Sequence, residues 1–421
     1  ALRPPDGYAL HSAVGTTYSL DLMALLAAPL AFTVFDCEDR DGRVVMDPLM
    51  LLEALREHAR RVTIFCQAGR IAVPPQHRPL LGYLEGSVVG AAAPNRDGAF
   101  HPKVWALRFV RKGDPVRYRL LCLSRNLTFD RSWDTALVLD GELTERKLAF
   151  ADNHPIGDFF QALPGMAVQE VSPVIEERVE LIQDELRRVK FELPDGFEGL
   201  RFWPCGLTGR RTWPFPDDGR RMMVVSPFVS NGVLEELSRG RRECVLVSRE
   251  ESLDGLNPET IESFDRVFAM APEAESEEIA EDSAAIDEGG DSLSGLHAKL
   301  FVMDDGWDAR VWTGSANSTE AAFSRNVELL VELMGKKAHC GIDAVLGGDG
   351  KQAALIDLLR PYSAPEEPPE VVDGRLEKLA EDVRRDLAGV GLRLQAEEAG
   401  GGSTWDLAVV VPEGAALSLP D

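Results

Sequence analysis

Two histidines, two lysines and two asparagines recur in this chain at matched spacing. The stretch LHAKLFVMDDGWDARVWTGSAN (296–317) places Lys299 two residues after His297, then Asp304, then Gly314, Ser315 and Asn317. An earlier stretch carries His101 and Lys103 in FHPKVWALRF, then Ser124 and Asn126 in LSRNLT. Residues i and i+2 of a β-strand share a face, so each histidine projects beside its lysine. Each Ser-x-Asn would end the neighbouring antiparallel strand and bring a hydroxyl and an amide next to that pair. Two such sets meeting across a pseudo-twofold axis would hold two imidazoles, two ammoniums, two amides and two hydroxyls. That inventory fits a phosphodiester. Lysines and amides would meet the non-bridging oxygens as charge builds. One neutral imidazole would attack phosphorus, and the other, protonated, would supply a proton to the leaving oxygen. Such chemistry needs no metal and no cofactor.

The elements around these residues repeat as well, and a repeat on this scale organises the whole chain. The His-to-Asn gap is 20 residues in the later copy and 25 in the earlier one. The extra five fall in VRKGDPVRY (110–118), a turn that tolerates insertion. Upstream, DPLMLLEALREHARR leads as a helix into the strand VTIFCQAGR (62–70), and NGVLEELSRGRR leads into ECVLVSRE (243–250). Downstream, IGDFFQAL (156–163) parallels GIDAVLG (341–347). Each half therefore alternates strand and helix, adds two strands joined by a turn, and closes with a helix. The pattern predicts an α/β fold of two duplicated halves, each a mixed β-sheet flanked by helices, forming one pseudo-twofold site.

The predicted organisation is a first half over 1–172, a connecting helix within 173–200, a second half over 201–363, and a linker with an α/β extension over 364–421. The connecting segment PVIEERVELIQDELRRVKFELP (173–194) has apolar residues at helical spacing. In the extension, APEEPPE has linker composition, GRLEKLAEDVRRDLAG (374–389) reads as a helix, and GLRLQAEE and TWDLAVVVPEG read as strands.

The bulk composition bounds the answer. A chain of 421 residues is long enough for two or three domains, and 44% hydrophobic residues suit a globular protein. No apolar run approaches the roughly 18 residues of a membrane span. The nearest, LMALLAAPLAFTVF (22–35), contains Pro29 and reads as a core helix running into a strand. No signal-peptide pattern opens the sequence. The cysteines (Cys37, Cys66, Cys122, Cys205, Cys244, Cys340) form no CxxC pair and mostly sit in apolar strand-like runs, as buried reduced thiols in a cytoplasmic protein would. A zinc site is not expected.

The formal charge of −25 argues against a broad phosphate-binding surface. Residues 272–291 contribute nine acids and no base, close before His297. This run looks like an insertion on the shared plan. It reads either as a solvated loop or as a tethered polyanion that occupies the cationic site. Arginines cluster at Arg56, Arg60 and Arg61, at Arg210 and Arg211, at Arg220 and Arg221, and at Arg239, Arg241 and Arg242. These are either solvated faces or local phosphate-binding patches. Trp105, Trp133 and Trp312 flank the motifs and are expected to pack under the sheet, with base stacking the alternative.

The later copy resembles the signature of the phospholipase D superfamily, HxK(x)4D(x)nGSxN, in order at His297, Lys299, Asp304, Gly314, Ser315 and Asn317. The earlier copy matches at His101, Lys103, Ser124 and Asn126 and departs at Arg108, where the Asp would stand, and at Leu123, where the Gly would stand. The resemblance covers roughly residues 8–362. It implies catalysis by His101, Lys103, Asn126, His297, Lys299 and Asn317 through a covalent phosphohistidine, with His101 the nucleophile and His297 the general acid. Ser124, Ser315 and Asp304 would support them. It also implies that a carboxylate after each Asn, Asp134 and Glu328, orients the opposite imidazole. The nuclease branch, acting on DNA or RNA, fits a chain with no membrane segment. Many such proteins accompany helicases or ATPases in bacterial DNA-processing and phage-defence loci, which implies a partner of that kind. A phospholipase or phosphatidyl transferase, and a catalytically weakened nucleic-acid-binding scaffold, are the alternatives. Both motifs lie on one chain, so catalysis needs no dimer, and the oligomeric state stays open.

Overall fold

The computed structural model describes residues 1–36, 48–76, 78–129, 132–270, 295–347, 354–365, 375–399 and 404–412. Cys37 and the acidic run 272–291 lie outside the described residues, and with them both readings of that run.

Two large mixed sheets dominate. In the first the strand order is Val189–Phe191, Ala136–Leu143, Arg117–Leu123, Val104–Val110, Ala9–Thr17, Val62–Gln67 and Val88–Ala91. In the second it is Phe197–Cys205, Glu328–Lys336, Asp308–Gly314, Leu300–Asp305, Arg221–Val225, Glu243–Ser248, Arg266–Met270 and Leu359–Pro361. Seven strands correspond one to one, and the second sheet adds an eighth at its edge. In both halves the strand after each His-x-Lys pairs antiparallel with the strand that ends in Ser-x-Asn. It also pairs antiparallel with the half's first core strand, which runs parallel to the next. The duplication expected from the sequence is therefore built strand for strand.

The central strands are apolar on both faces because both are covered. Val62–Gln67 is buried throughout, as two-sided packing of a parallel strand requires. The inner faces of the two sheets share one core, in which Ala106, Leu120 and Leu139 of the first meet Val327, Leu329 and Val331 of the second. Cys122 and Thr313, equivalent in the repeat, meet at the junction with Sγ 4.0 Å from the carbonyl.

Two expected elements come out differently. The run at 22–35 is helical throughout its length, within Leu22–Asp36, with Pro29 inside the helix. Leu25, Leu26, Ala28 and Phe32 are all buried in one cluster with the following helix, and a segment apolar all round has no period to separate strand from buried helix. The connecting helix is Pro173–Leu186. It stops before Val189–Phe191, which leaves the helix to become the edge strand of the first sheet.

The extension consists of a helix, Arg375–Gly389, and an antiparallel hairpin, Arg393–Ala399 with Thr404–Val410. The five described cysteines are free and buried, and burial pushes the Cys66 and Cys122 thiols up to about 12. Among the described residues no helix is long and apolar enough to cross a membrane.

Candidate active site

The two histidines come from loops that cross between the halves. The His101 backbone N–H donates to the Val327 carbonyl at 3.0 Å, and the His297 N–H donates to Trp133 at 2.9 Å. Val327 and Trp133 each precede a carboxylate in the chain, Glu328 and Asp134. Docking each His loop on the opposite half thus brings imidazole and carboxylate together. His101 Nδ1 lies 2.8 and 3.0 Å from the two Glu328 oxygens, and His297 Nδ1 lies 3.1 Å from Asp134 Oδ1. A carboxylate on Nδ1 fixes the proton there and leaves the Nε2 lone pair for the site.

Each carboxylate is held by the serine of its own half. Ser124 Oγ donates to Asp134 at 2.9 Å, and Ser315 Oγ donates to Glu328 at 2.5 Å. The same serines accept the next backbone N–H, from Thr135 at 2.8 Å and Leu329 at 3.1 Å. The lysines mirror each other as well. Lys103 Nζ donates to the His101 carbonyl and Lys299 Nζ to the His297 carbonyl, both at 2.8 Å. Both lysines are buried. Asn126 and Asn317 each keep a buried amide oxygen with no hydrogen-bond partner. A matched pair of unsatisfied amides on one site is what ligand-facing groups look like, since buried polar atoms otherwise find partners.

Burial dominates the protonation states. It lowers His101 to about 4, with Glu328 opposing and Lys103 and Lys299 assisting. It lowers His297 to about 4, opposed by the hydrogen bond to Asp134. Burial also brings Lys103 to about 7, and burial together with the neighbouring Lys103 drives Lys299 well below the ordinary lysine range. Burial pushes Asp134 upward, but hydrogen bonds from His297 and Ser124 hold it below the usual carboxylate range. These shifts leave neutral imidazoles and lysines that have lost much of their hold on a proton. An arriving phosphate anion would restore that hold.

Asp304 does not join this group. It is buried at the far end of its strand, 3.0 Å from Arg221 and 3.4 Å from Lys337, and accepts the Ile342 N–H. Its counterpart Arg108 plays the same part with the charge reversed, donating twice to Glu185 of the connecting helix at 2.7 and 3.0 Å. The second departure is also compensated. Gly314 has φ +150°, and a Cβ there would fall 2.1 Å from the Leu329 carbonyl. Its strand partner is Leu330, whereas in the first half Leu123 faces Ala136. The same pair position is filled in both halves, with the bulk on opposite strands.

Tyr18 and Gln67 belong to the site and carry no repeat signal. The Tyr18 ring lies 5.0 Å from that of His101, and Gln67 Oε1 accepts the Phe100 N–H at 2.6 Å, bracing the His101 loop. By strand register the counterpart of Tyr18 is Pro227, so a search for repeated residues passes over it. Trp105 and Trp312 pack in the core as expected, but Trp133 is 46% exposed. Its backbone carbonyl accepts the His297 N–H. Several clustered arginines are spent locally: Arg211 on Glu236, Arg221 on Glu243, Asp304 and Asp343, and Arg241 on backbone carbonyls. Among the described residues no three His, Cys, Asp or Glu side chains form a metal-holding group.

No protein-family model and no curated protein matches this chain. Solved structures similar to it include yeast tyrosyl-DNA phosphodiesterase, 10% identical over 80% of this chain and 85% of that one, with a TM-score of 0.46. A histidine-to-alanine mutant of that enzyme is 10% identical over 79% and 84%, with a TM-score of 0.48. Polyphosphate kinase from Porphyromonas gingivalis is 12% identical over 92% of this chain and 44% of that one, with a TM-score of 0.36.

Proposed function

We propose that the chain is a metal-independent phosphodiesterase, and that its substrate is a nucleic acid strand cleaved through a phosphohistidine. The observation that carries this reading is the exchange of carboxylates between the halves: Glu328 on His101 and Asp134 on His297, with Lys103 and Lys299 beside them. Each imidazole is oriented from behind through Nδ1, which leaves Nε2 for the substrate, and on this reading the two lysines and two asparagines hold non-bridging oxygens.

In the first step the His101 Nε2 lone pair forms a bond to phosphorus. The bond to the leaving oxygen breaks as that oxygen takes the proton from His297 Nε2. In the second step His297, now neutral, removes a proton from water. The resulting hydroxide attacks phosphorus, and the P–N electrons return to His101. The negative charge of the entering phosphate raises the pKa of His297, which takes up a proton from solvent, against the burial that otherwise keeps it neutral.

Aromatic surface beside both histidines supports a nucleic acid substrate. Exposed Trp133 adjoins the His297 loop, and Tyr18 adjoins His101. Bases stack on such rings without regard to sequence. The test is to incubate the protein with labelled single-stranded DNA, double-stranded DNA, RNA and phospholipid vesicles in EDTA. Cleavage of a nucleic acid that is lost in both His101→Ala and His297→Ala supports the proposal. Cleavage surviving both changes refutes it, and head-group release from vesicles alone assigns the site to lipid.

A further inference from the structure

The helix Arg375–Gly389 lies on the rim of the site beside His101. Glu381 takes hydrogen bonds from Arg70, with Nε at 3.2 Å and Nη2 closer still, and from the Tyr18 hydroxyl at 3.4 Å. The Arg70 guanidinium sits 5.2 Å from the centre of the Tyr18 ring. The same ring lies 5.0 Å from that of His101 and 6.0 Å from Lys103 Nζ. One ring thus links the histidine to an arginine whose planar fork is engaged by a carboxylate. Arginine presents the same two-point geometry to carboxylate and to phosphate.

The approach of the helix is accommodated by the chain. Gly69 has φ +80°, and a Cβ there would come within 3.0 Å of the Arg384 carbonyl. Asp386 reaches Arg96 at 3.7 Å. Between helix and site lies a cavity of about 170 Å³, lined by Tyr18, Gln67, Asn326, Glu381, Asp382 and Arg385. The second half offers a related arrangement across the pseudo-twofold axis. Arg249 stands 5.1 Å over the Phe228 ring and donates to the Leu296 carbonyl, next to His297. A cation over an aromatic face on each flank suits a strand whose phosphates and bases alternate.

We propose that Arg70 and Tyr18 form a subsite for the phosphate and base that flank the scissile diester, and that Glu381 occupies this subsite in the free protein. The inference rests on the nucleic acid reading above. Side chains of Arg70 and Glu381 are 34% and 26% exposed, and a partly exposed ion pair of this kind is weak enough for a phosphate to displace. The C-terminal helix then competes with long substrates and leaves small ones unaffected.

The test measures binding of a short labelled single-stranded oligonucleotide by anisotropy, before cleavage, across a salt series. Glu381→Gln tightens binding about 3- to 10-fold. Arg70→Ala weakens it about 10-fold and lowers the salt slope by about 1. Adding Glu381→Gln to Arg70→Ala brings no further gain. The KM of Glu381→Gln for bis(p-nitrophenyl) phosphate, which has no flanking phosphate, stays at the wild-type value. Oligonucleotide binding that ignores Glu381→Gln, or gains equally with and without Arg70, overturns the subsite. If wild type and Glu381→Gln turn over the small diester but neither binds oligonucleotide, the nucleic acid reading itself is overturned.

Discussion

Replacing Glu328 by glutamine removes one charge from the site at nearly constant volume. Glu328 is fully buried, and its oxygens receive His101 Nδ1 and the Ser315 hydroxyl. On the proposed mechanism the His101 ring becomes cationic as it bonds to phosphorus, and the Glu328 charge stabilises that cation only in the transition state and intermediate. A neutral amide keeps the shape but loses this term, and it lets Nδ1 rest in the wrong tautomer. Loss of a charged partner behind a catalytic imidazole costs about 10²- to 10⁴-fold in kcat, or about 3 to 5 kcal/mol at 1.36 kcal/mol per factor of ten. KM should stay within about threefold, because Glu328 faces the imidazole and not the substrate. The assay is stopped-flow release of p-nitrophenolate from bis(p-nitrophenyl) phosphate. Nitrophenolate departs without a proton, so Glu328→Gln should abolish the fast first turnover, while Asp134→Asn should keep that burst and slow the steady state. With an oligonucleotide, whose leaving oxygen needs the proton, both variants should be slow. Two results would refute the reasoning. One is Glu328→Gln activity within about fivefold of wild type. The other is a burst kept by Glu328→Gln and lost by Asp134→Asn, which would exchange the roles of His101 and His297.

Four further outcomes follow from the same geometry. Both histidines are held near 4 in the free protein, so the form with His101 neutral and His297 protonated becomes scarcer above that value; kcat/KM should fall by up to about tenfold per pH unit on the alkaline side, and a plateau from pH 6 to 9 would contradict this. Phosphate analogues should bind with proton uptake near pH 8, because the anion raises lysines that burial has lowered; titration calorimetry of tungstate in two buffers of different ionisation enthalpy reads this directly. The folded state binds fewer protons at Lys103 than the unfolded chain does, so this lysine costs stability most below about pH 7 and less as pH rises toward its unfolded value; Lys103→Met should therefore raise Tm, with a larger gain at pH 6 than at pH 9. Glu185→Ala should destabilise the fold by about 3 to 5 kcal/mol in urea titrations, because it leaves the buried Arg108 guanidinium without its carboxylate.

Much of the site was legible because the chain is duplicated. His101, Lys103, Asn126 and their partners at 297, 299 and 317 carry the signal twice, and the period of a strand fixes which residues share a face. Asp134 and Glu328 were reachable from their places after the asparagines. The acid in the motif was less informative, because a buried ion pair only needs a partner of opposite sign. Asp304 with Arg221 and Arg108 with Glu185 meet that need equally well. The glycine followed the same logic, since Leu123 with Ala136 fills the room that Gly314 leaves to Leu330. Tyr18, Gln67 and Glu381 were out of reach. None is repeated, and each acts by meeting a residue distant in the chain. Trp133 was expected inside and is half exposed, because alternation along two residues of strand does not say which neighbour covers a ring.

The sequence by itself determined the residue inventory, the duplicated α/β plan and the pairing of each histidine with its lysine, because these depend on strand periodicity and on one pattern written twice. Tertiary structure alone decided how each histidine loop docks on the opposite half, how far burial shifts the protons, and that a helix from the far end of the chain places Glu381 on Arg70. Those are long-range matters of close packing: a pKa depends on everything that displaces water around a group, and the partner of a side chain depends on where the two halves meet.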